Sequence, residues 1–426
     1  MARKNSTRAA QGAGNIRKKT VTRSGKEYTY WEARVTIGRD PGTGRQLQKS
    51  FTGKTQKEVR EKMQAAAVAI NNGDYFEPAK LTISEWMDIW TSEYMGDKKW
   101  STVKHYKAQV ETHIRPALGA VKLSQLAPHM IQRFYNELLK SGRTVPERDK
   151  DGKVVKKDGK TVTEQVPLTA KSVRNIHGVL TKALSVAVSV GYLRSNPAEK
   201  VTLPRVEKKE IQPLTDDLVK AFLEATAGDE YEIILKVILF TGLREAEAMG
   251  LTWDCVDFKA GTIHICKQLQ KRPLAEGGFV FTSLKNNKTR ILHPAPFVMD
   301  LLRRRQQEQD RQRLQAGPIW EGWGTPAERK TALVFTTLAG SHLSPQTVYL
   351  HYKRIAAEIG APDSRLHDLR HTFAVLSLQN GDNVKTVQGN LGHATAAFTL
   401  DVYGHVSERM KEESASRMQN YIEALG

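Results

Sequence analysis

Four runs of apolar residues spaced three and four apart between Thr82 and Val188 constrain this chain most, because a stripe with that period is buried only by helices packed on one another. Ile83, Trp86, Met87 and Trp90 form the first stripe, behind Thr82 and Glu85 in the order of a capping box. Ser101 is expected to open the second helix, with Val103, Tyr106, Val110 and Ile114 on its buried side and Pro116 as its stop. Pro128 opens a third, striped by Ile131, Phe134 and Leu138. The fourth runs from Thr169 through Val173, Ile176, Leu180, Leu184 and Val188 to Gly191. Between the third and fourth, residues 143–167 carry two Asp-Gly pairs among Val and Thr, the pattern of an inserted β-hairpin or mobile loop. Residues 80–200 are therefore expected to form a helical domain with one insertion.

The flanks read differently. From Thr20 to Phe51 short strands are broken at Ser24–Lys26 and at the Pro and Gly of residues 40–44, and Thr55 with Glu58 starts a helix. Residues 16–75 predict a β-sheet-plus-helix module, residues 1–15 a disordered basic tail, and residues 71–80 a linker. A charged linker follows Asn196-Pro197. Past it, residues 210–412 predict a mixed α/β domain, with helices near 215–226 and 231–241, strands near 255–258, 262–267 and 290–293, and helices thereafter. The fold class is thus multidomain, mainly α with small β-sheets.

With 39% hydrophobic and 26% charged residues, 426 residues can bury real cores without staples. The two cysteines, Cys255 and Cys266, have no Cys/His ligand spacing around them and read as unpaired, which argues for a reducing cytosol and no structural zinc. No run approaches the ~18 apolar residues of a membrane span, so a secreted or membrane-embedded protein is not expected. The formal charge of +19 attracts polyanions, and +10 of it falls in residues 1–54. Tyr28, Tyr30, Trp31, Val35 and Ile37 interleave with those charges, which favours a folded nucleic-acid-binding module over a solubilising tail.

Four segments of the last domain carry residue types that bind or break phosphodiesters. Arg244 starts a helix after Thr241-Gly242, an awkward place for a cation unless an anion joins it. Lys285 and Lys288 lie in a turn between two strands. His367 and Arg370, three apart, share a helix face. His393 follows a glycine, and Tyr403 comes ten residues later among small and polar neighbours. Each alone has an ordinary explanation: a solvated arginine, a hairpin tip, a core histidine, a core aromatic.

Together and in this order, TGLR, LHDLRHT, LGH and DVYGHV resemble the tyrosine site-specific recombinase family, phage and conjugative-transposon integrases among them. The chemistry is coherent on its own terms. In-line attack on a phosphodiester builds negative charge that planar arginines, here Arg244 and Arg370, can clamp. A tyrosine needs a base or a positive field to attack at neutral pH, and His367 can take the proton of Tyr403. The departing 5′-oxygen needs a proton, for which Lys285 is the choice by position and Lys288 the fallback. His393 would donate a hydrogen bond to a phosphate oxygen.

The resemblance implies these same roles and adds Glu247 as an orienter of Arg244. It also implies an arm-site DNA-binding module at 16–75, a core-site-binding domain at 80–200, a catalytic domain at 210–412, and a tail at 413–426 that docks on a neighbouring protomer. If that tail is helical, Val406, Met410, Met418, Ile422 and Leu425 lie close to one face. The implied partners are double-stranded DNA with core and arm sites, a homotetramer on that DNA, and, as accessory proteins, an excisionase and a DNA-bending protein. No cofactor, metal or membrane is expected, and the implied place of work is the bacterial cytosol at the nucleoid. Two rivals remain: an enzyme of the same chemistry such as a type IB topoisomerase or telomere resolvase, and a catalytically silent architectural or regulatory DNA-binding protein. The integrase-like N-terminal module disfavours the first, and the intact set of reactive residues disfavours the second. A metal-dependent nuclease lacks its carboxylates.

Overall fold

The computed structural model describes residues 16–23, 25–39, 45–71, 81–149, 153–207, 212–285, 287–392 and 408–425. The chain divides into two compact units, Met1–Lys208 and Lys209–Gly426. The expected tail 1–15, the turn at 40–44, most of the linker, and both His393 and Tyr403 lie outside the described residues.

In the first unit, β1 (Ile16–Arg23), β2 (Lys26–Arg39) and β3 (Gln46–Gly53) form an antiparallel sheet in sequence order, with a bulge in β2 between Thr36 and Gly38. Helix α1 (Gln56–Asn71) packs on it, and Thr55 Oγ1 accepts the backbone N–H of Glu58 at its start. Among its described side chains, Glu32 gathers three of the sheet's basic residues. Glu32 is nearly buried, meets Arg17 at 2.7 Å, and lies within ion-pair range of Lys19 and Arg34.

The helical part follows the sequence stripes closely. The Thr82–Glu85 capping box opens α2 (Ile83–Glu93), and Ile83, Trp86, Met87 and Trp90 are buried. The second helix departs from expectation at both ends. It begins as α3 (Trp100–Gln109) behind Lys99, which makes no side-chain cap, and Pro116 does not stop it. A single wide π-type turn at Val110–Ile114 leads into α4 (Arg115–Leu118), which carries Pro116 in its first turn. The Arg115 N–H reaches back to the Val110 carbonyl. A proline at a helix start gives up an N–H that has no partner there anyway, and the wider turn lets the chain continue past it. Helices α5 (Pro128–Ser141) and α6 (Ala170–Ser189) complete the core. The insertion is a β-ladder, β4 (Arg143–Pro146) paired with β7 (Thr163–Val166), tipped by the hairpin β5 (Lys156–Lys157) and β6 (Lys160–Thr161).

The second unit starts with α7 (Asp216–Ala225) and α8 (Glu232–Thr241), then the short α9 (Glu245–Met249). Two small antiparallel sheets follow. One joins β8 (Val256–Asp257), β9 (Thr262–Ile265) and β12 (Arg290–Leu292), and the other pairs β10 (Lys267–Lys271) with β11 (Phe279–Ser283). The sequence reading puts Lys285 in a turn between two strands but gives the first of them, β11, no bounds: its side chains are only partly covered, so pairing with β10 rather than burial makes it a strand. Lys285 therefore sits in a connection between two sheets, after the β10–β11 hairpin and not at its tip. Cys255 and Cys266, read as unpaired in the sequence, are free thiols whose sulfurs come within 3.7 Å because the turn before β8 packs against the end of β9.

Helices α10 (Pro296–Ala316), α11 (Pro326–Thr331), α12 (Pro345–Glu358), α13 (Asp368–Gln379) and α14 (Val384–Leu391) follow; α10, α12 and the start of α13 pack on a core to which α8, almost wholly buried, contributes most, while the rest of α13 forms a smaller cluster with α14. The last described element, α15 (Glu408–Leu425), is one helix that runs through the expected boundary at residue 413.

Candidate active site

Gly242 sets the site's geometry. It caps α8 in the left-handed conformation, φ 65°, and a Cβ there would lie 2.5 Å from the Phe373 ring and 2.7 Å from Leu391. Only glycine lets α13 and α14 approach so closely at that φ. The turn delivers Arg244 to the position that caps α9.

One buried carboxylate holds Arg244. Glu247 is 1% exposed; its Oε1 accepts Arg244 Nη1 at 2.7 Å, and its Oε2 accepts the Arg244 backbone N–H at 3.1 Å. Arg290, the first residue of β12, forks onto the same group, with Nη2 to Oε2 at 2.6 Å and Nη1 to Oε1 at 3.2 Å. Burial alone would push the Glu247 carboxyl upward. The Arg290 hydrogen bonds and charge, with the charge of Arg244, outweigh it and hold the group at about 2.

Arg370 reaches the site from the first turn of α13. It is 2% exposed, donates from Nη1 to the Gly242 carbonyl at 2.5 Å and from Nη2 to the Leu391 carbonyl at 2.6 Å. Carbonyl oxygens orient a guanidinium without cancelling its charge. His367 stands at the N-terminal cap of α13. Burial, then the charges of Arg370 and Arg244, lower its pKa, so its imidazole is neutral near pH 7 and able to accept a proton. His371 stacks edge to face on it, ring centroids 4.9 Å apart, and is pressed down to about 4 by burial and by His367.

The expected site residues thus separate into three groups. Arg244, Glu247, His367 and Arg370 come together around the α8–α9 turn and the start of α13. Lys285 and Lys288 are exposed, on the connection that ends at Arg290. His393 and Tyr403 lie outside the described residues, and the chain that precedes them is anchored here, since Arg370 binds the Leu391 carbonyl and Arg290 Nε binds the Asn390 carbonyl at 2.8 Å. Sequence reasoning missed Arg290 and His371. A hint of the former lies in β12, where Arg290 points inward while Ile291 is exposed, the reverse of ordinary amphipathic alternation. Among the described residues no group of three His, Cys, Asp or Glu side chains is arranged to hold a metal, and no helix is long and apolar enough to cross a membrane.

A helical domain followed by a mixed domain, with two arginines and a neutral histidine around a turn, defines a class built to handle phosphodiesters, and comparison with known proteins makes that class specific. Residues 205–410 match the phage integrase family, and residues 82–139 match the N-terminal SAM-like domain of phage integrases. The tyrosine recombinase XerC-like protein of Caldanaerobacter subterraneus subsp. tengcongensis is 25% identical over 95% of this chain and 99% of its own. In fold, the Tn1549 transposon integrase in complex with a circular intermediate DNA superposes with a TM-score of 0.61 at 17% identity, over 79% of this chain and 99% of that one. A lambda integrase tetramer bound to a Holliday junction gives 0.50 at 17% identity, over 94% and 99%. The chain belongs to the phage integrase family of tyrosine recombinases. Its activity is that of a site-specific integrase.

Proposed function

We propose that this integrase cleaves DNA with Tyr403, forming a 3′-phosphotyrosine, while Arg244 and Arg370 clamp the phosphate, His367 takes the tyrosine proton, Lys285 protonates the departing 5′-oxygen and His393 donates to a phosphate oxygen. The covalent link conserves the bond energy, so a 5′-hydroxyl from another duplex reverses the step without ATP. The observation that carries this reading is the pairing of two oriented, buried or half-buried arginines with an imidazole kept neutral by burial first and by their charge second. That is the environment a tyrosine nucleophile and an anionic transition state both require.

The protein binds DNA and acts as a multimer. The finer assignment is arm sites for residues 16–75, core sites for residues 80–200, catalysis for 210–412, and docking on a neighbouring protomer for the tail, within a tetramer on DNA. The basic sheet around Glu32 supports the first of these. An excisionase and a DNA-bending protein would be accessory partners, in the bacterial cytosol at the nucleoid.

A nicked core-site substrate, whose cleaved strand diffuses away, should trap an SDS-resistant protein–DNA adduct. Tyr403→Phe, which removes one oxygen, should abolish that adduct and leave DNA binding within about twofold. An adduct that survives in the variant would move the nucleophile elsewhere, to Tyr349 or Tyr421 before Tyr352, whose buried hydroxyl is bonded to Ser364 and pushed up to about 12 mainly by burial.

A further inference from the structure

We infer that Arg290 is a positioning residue that sets the lysine-bearing connection against the phosphate clamp, using Glu247 as a shared anchor. This rests on the reading of Lys285 as the proton donor. The connection from Lys285 to Thr289 carries both candidate lysines and is tied at its two ends. At the first, Leu284 is buried in the core, and its carbonyl accepts the Asn287 N–H at 3.0 Å, closing the turn. At the second, Arg290 forks onto Glu247, across 43 residues, and its Nε holds the Asn390 carbonyl, across 100 residues.

Glu247 also grips Arg244 through both side chain and backbone. One carboxylate therefore fixes three things at once: the guanidinium that binds the phosphate, the end of the segment that brings the acid, and, through Arg290, the end of α14 three residues before His393. A planar fork that binds a carboxylate with two nitrogens and a carbonyl with the third has a single orientation, which lysine cannot reproduce. Loss of the fork leaves Lys285 its charge but releases one of the two ends that set where that charge is presented. In the step at stake, the P–O5′ bond breaks as the Tyr403 oxygen bonds to phosphorus, and the 5′-oxygen takes a proton from the Lys285 ammonium. Misplacement of the segment should slow this step and leave ground-state DNA binding alone.

The test uses the full chain and two nicked core-site substrates, one ordinary and one with sulfur in place of the bridging 5′-oxygen, since a thiolate departs without a proton. Arg290→Gln should bind core DNA within about twofold of the parent, cleave the ordinary substrate at least about 100-fold more slowly in single turnover, and recover to within about tenfold of the parent on the sulfur substrate, in parallel with Lys285→Ala. Arg290→Lys, which keeps the charge and one arm of the fork against Glu247, should fall between and serves as the reporter if the Gln variant melts early. If Lys285→Ala is rescued by sulfur and neither Arg290 variant is, Arg290 does not act through the acid and the inference is wrong. Rescue of the Arg290 variants without Lys285→Ala would move the acid to another residue of the segment and uphold Arg290's role. Rescue of none removes both assignments.

Discussion

Two ionisable residues beside Arg244 and Arg370 both favour high pH, Glu247 because the fold needs it charged and His371 because the fold needs it neutral. Glu247 is an acid held at about 2 by its arginines, so it stabilises the fold above its ordinary 4.5, and that contribution is lost as pH falls through 2. His371 is a base pressed down from 6.5 to about 4 by burial and by His367. The folded state prefers it neutral, so its contribution is whole above pH 6.5 and is lost as pH falls from 6.5 to 4. The two windows hardly overlap. Melting temperature should therefore drop between pH 6.5 and 4, a loss of roughly 2–3 kcal/mol from His371 alone. His371→Gln should reduce that slope, with the remainder from His367, His113, His177 and His342, which burial shifts the same way. Thermal melts across the window would reject this account if parent and variant ran parallel. The histidine pair is legible in the sequence as two imidazoles four apart, but their pKa values are not, since these depend on which charges the fold brings near.

Glycines in two elements should respond oppositely to one added methyl group. Gly242 joins α8 to α9 at positive φ with Phe373 and Leu391 already against its Cα. Alanine there adds a left-handed penalty of ~1–2 kcal/mol and an overpacking penalty of ~1–3 kcal/mol. It should also displace the carbonyl that orients Arg370, so Gly242→Ala should lose stability by chemical denaturation and cleavage by far more than that loss explains. Gly178 lies inside α6 with nothing within 4 Å of where its Cβ would stand. Gly178→Ala should therefore stabilise by ~0.5–1 kcal/mol and leave cleavage unchanged. A loss at Gly178, or none at Gly242, would contradict the packing described. At this scale the sequence reads well wherever one face of a helix is buried, as in α2, α5 and α6. It reads poorly where pairing or a local irregularity decides: β11 is made by its partner strand, and Pro116 is carried by a π-type turn whose wide hydrogen bond no side-chain pattern announces.

Across the whole molecule, the C-terminal helix α15 presents Met418, Tyr421, Ile422 and Leu425, all exposed and spaced three, one and three apart on a single face. An apolar face left open on one chain favours burial on another, and the multimer proposed above would supply neighbouring copies. Ending the chain after Glu413 removes that face. Binding to a one-site DNA should stay within about threefold, cooperative binding to a two-site DNA should weaken, and strand exchange between two sites should fall below detection. Gel shifts on both DNAs beside an exchange assay decide the matter, because normal recombination by the truncated protein, or failure to bind even one site, would rule out docking in trans.

The information legible along the chain is local and ordered: helix faces from the apolar period, a capping box at Thr82, the three-strand-plus-helix module, and the succession of Arg, Lys, His, Arg, His and Tyr that places the chain in its family. Those signals survive in one dimension because each depends on neighbours within a turn or two, or on order alone. Only the tertiary structure decided that Glu247 serves Arg244 and Arg290 together, that Arg370 rests on the carbonyls of Gly242 and Leu391, and that Cys255 and Cys266 are neighbours. Apart from Arg244 with Glu247, such contacts join residues well separated in the chain, and which buried cation meets which buried oxygen is set by how helices and strands close on one another, a property of packing that no periodicity encodes.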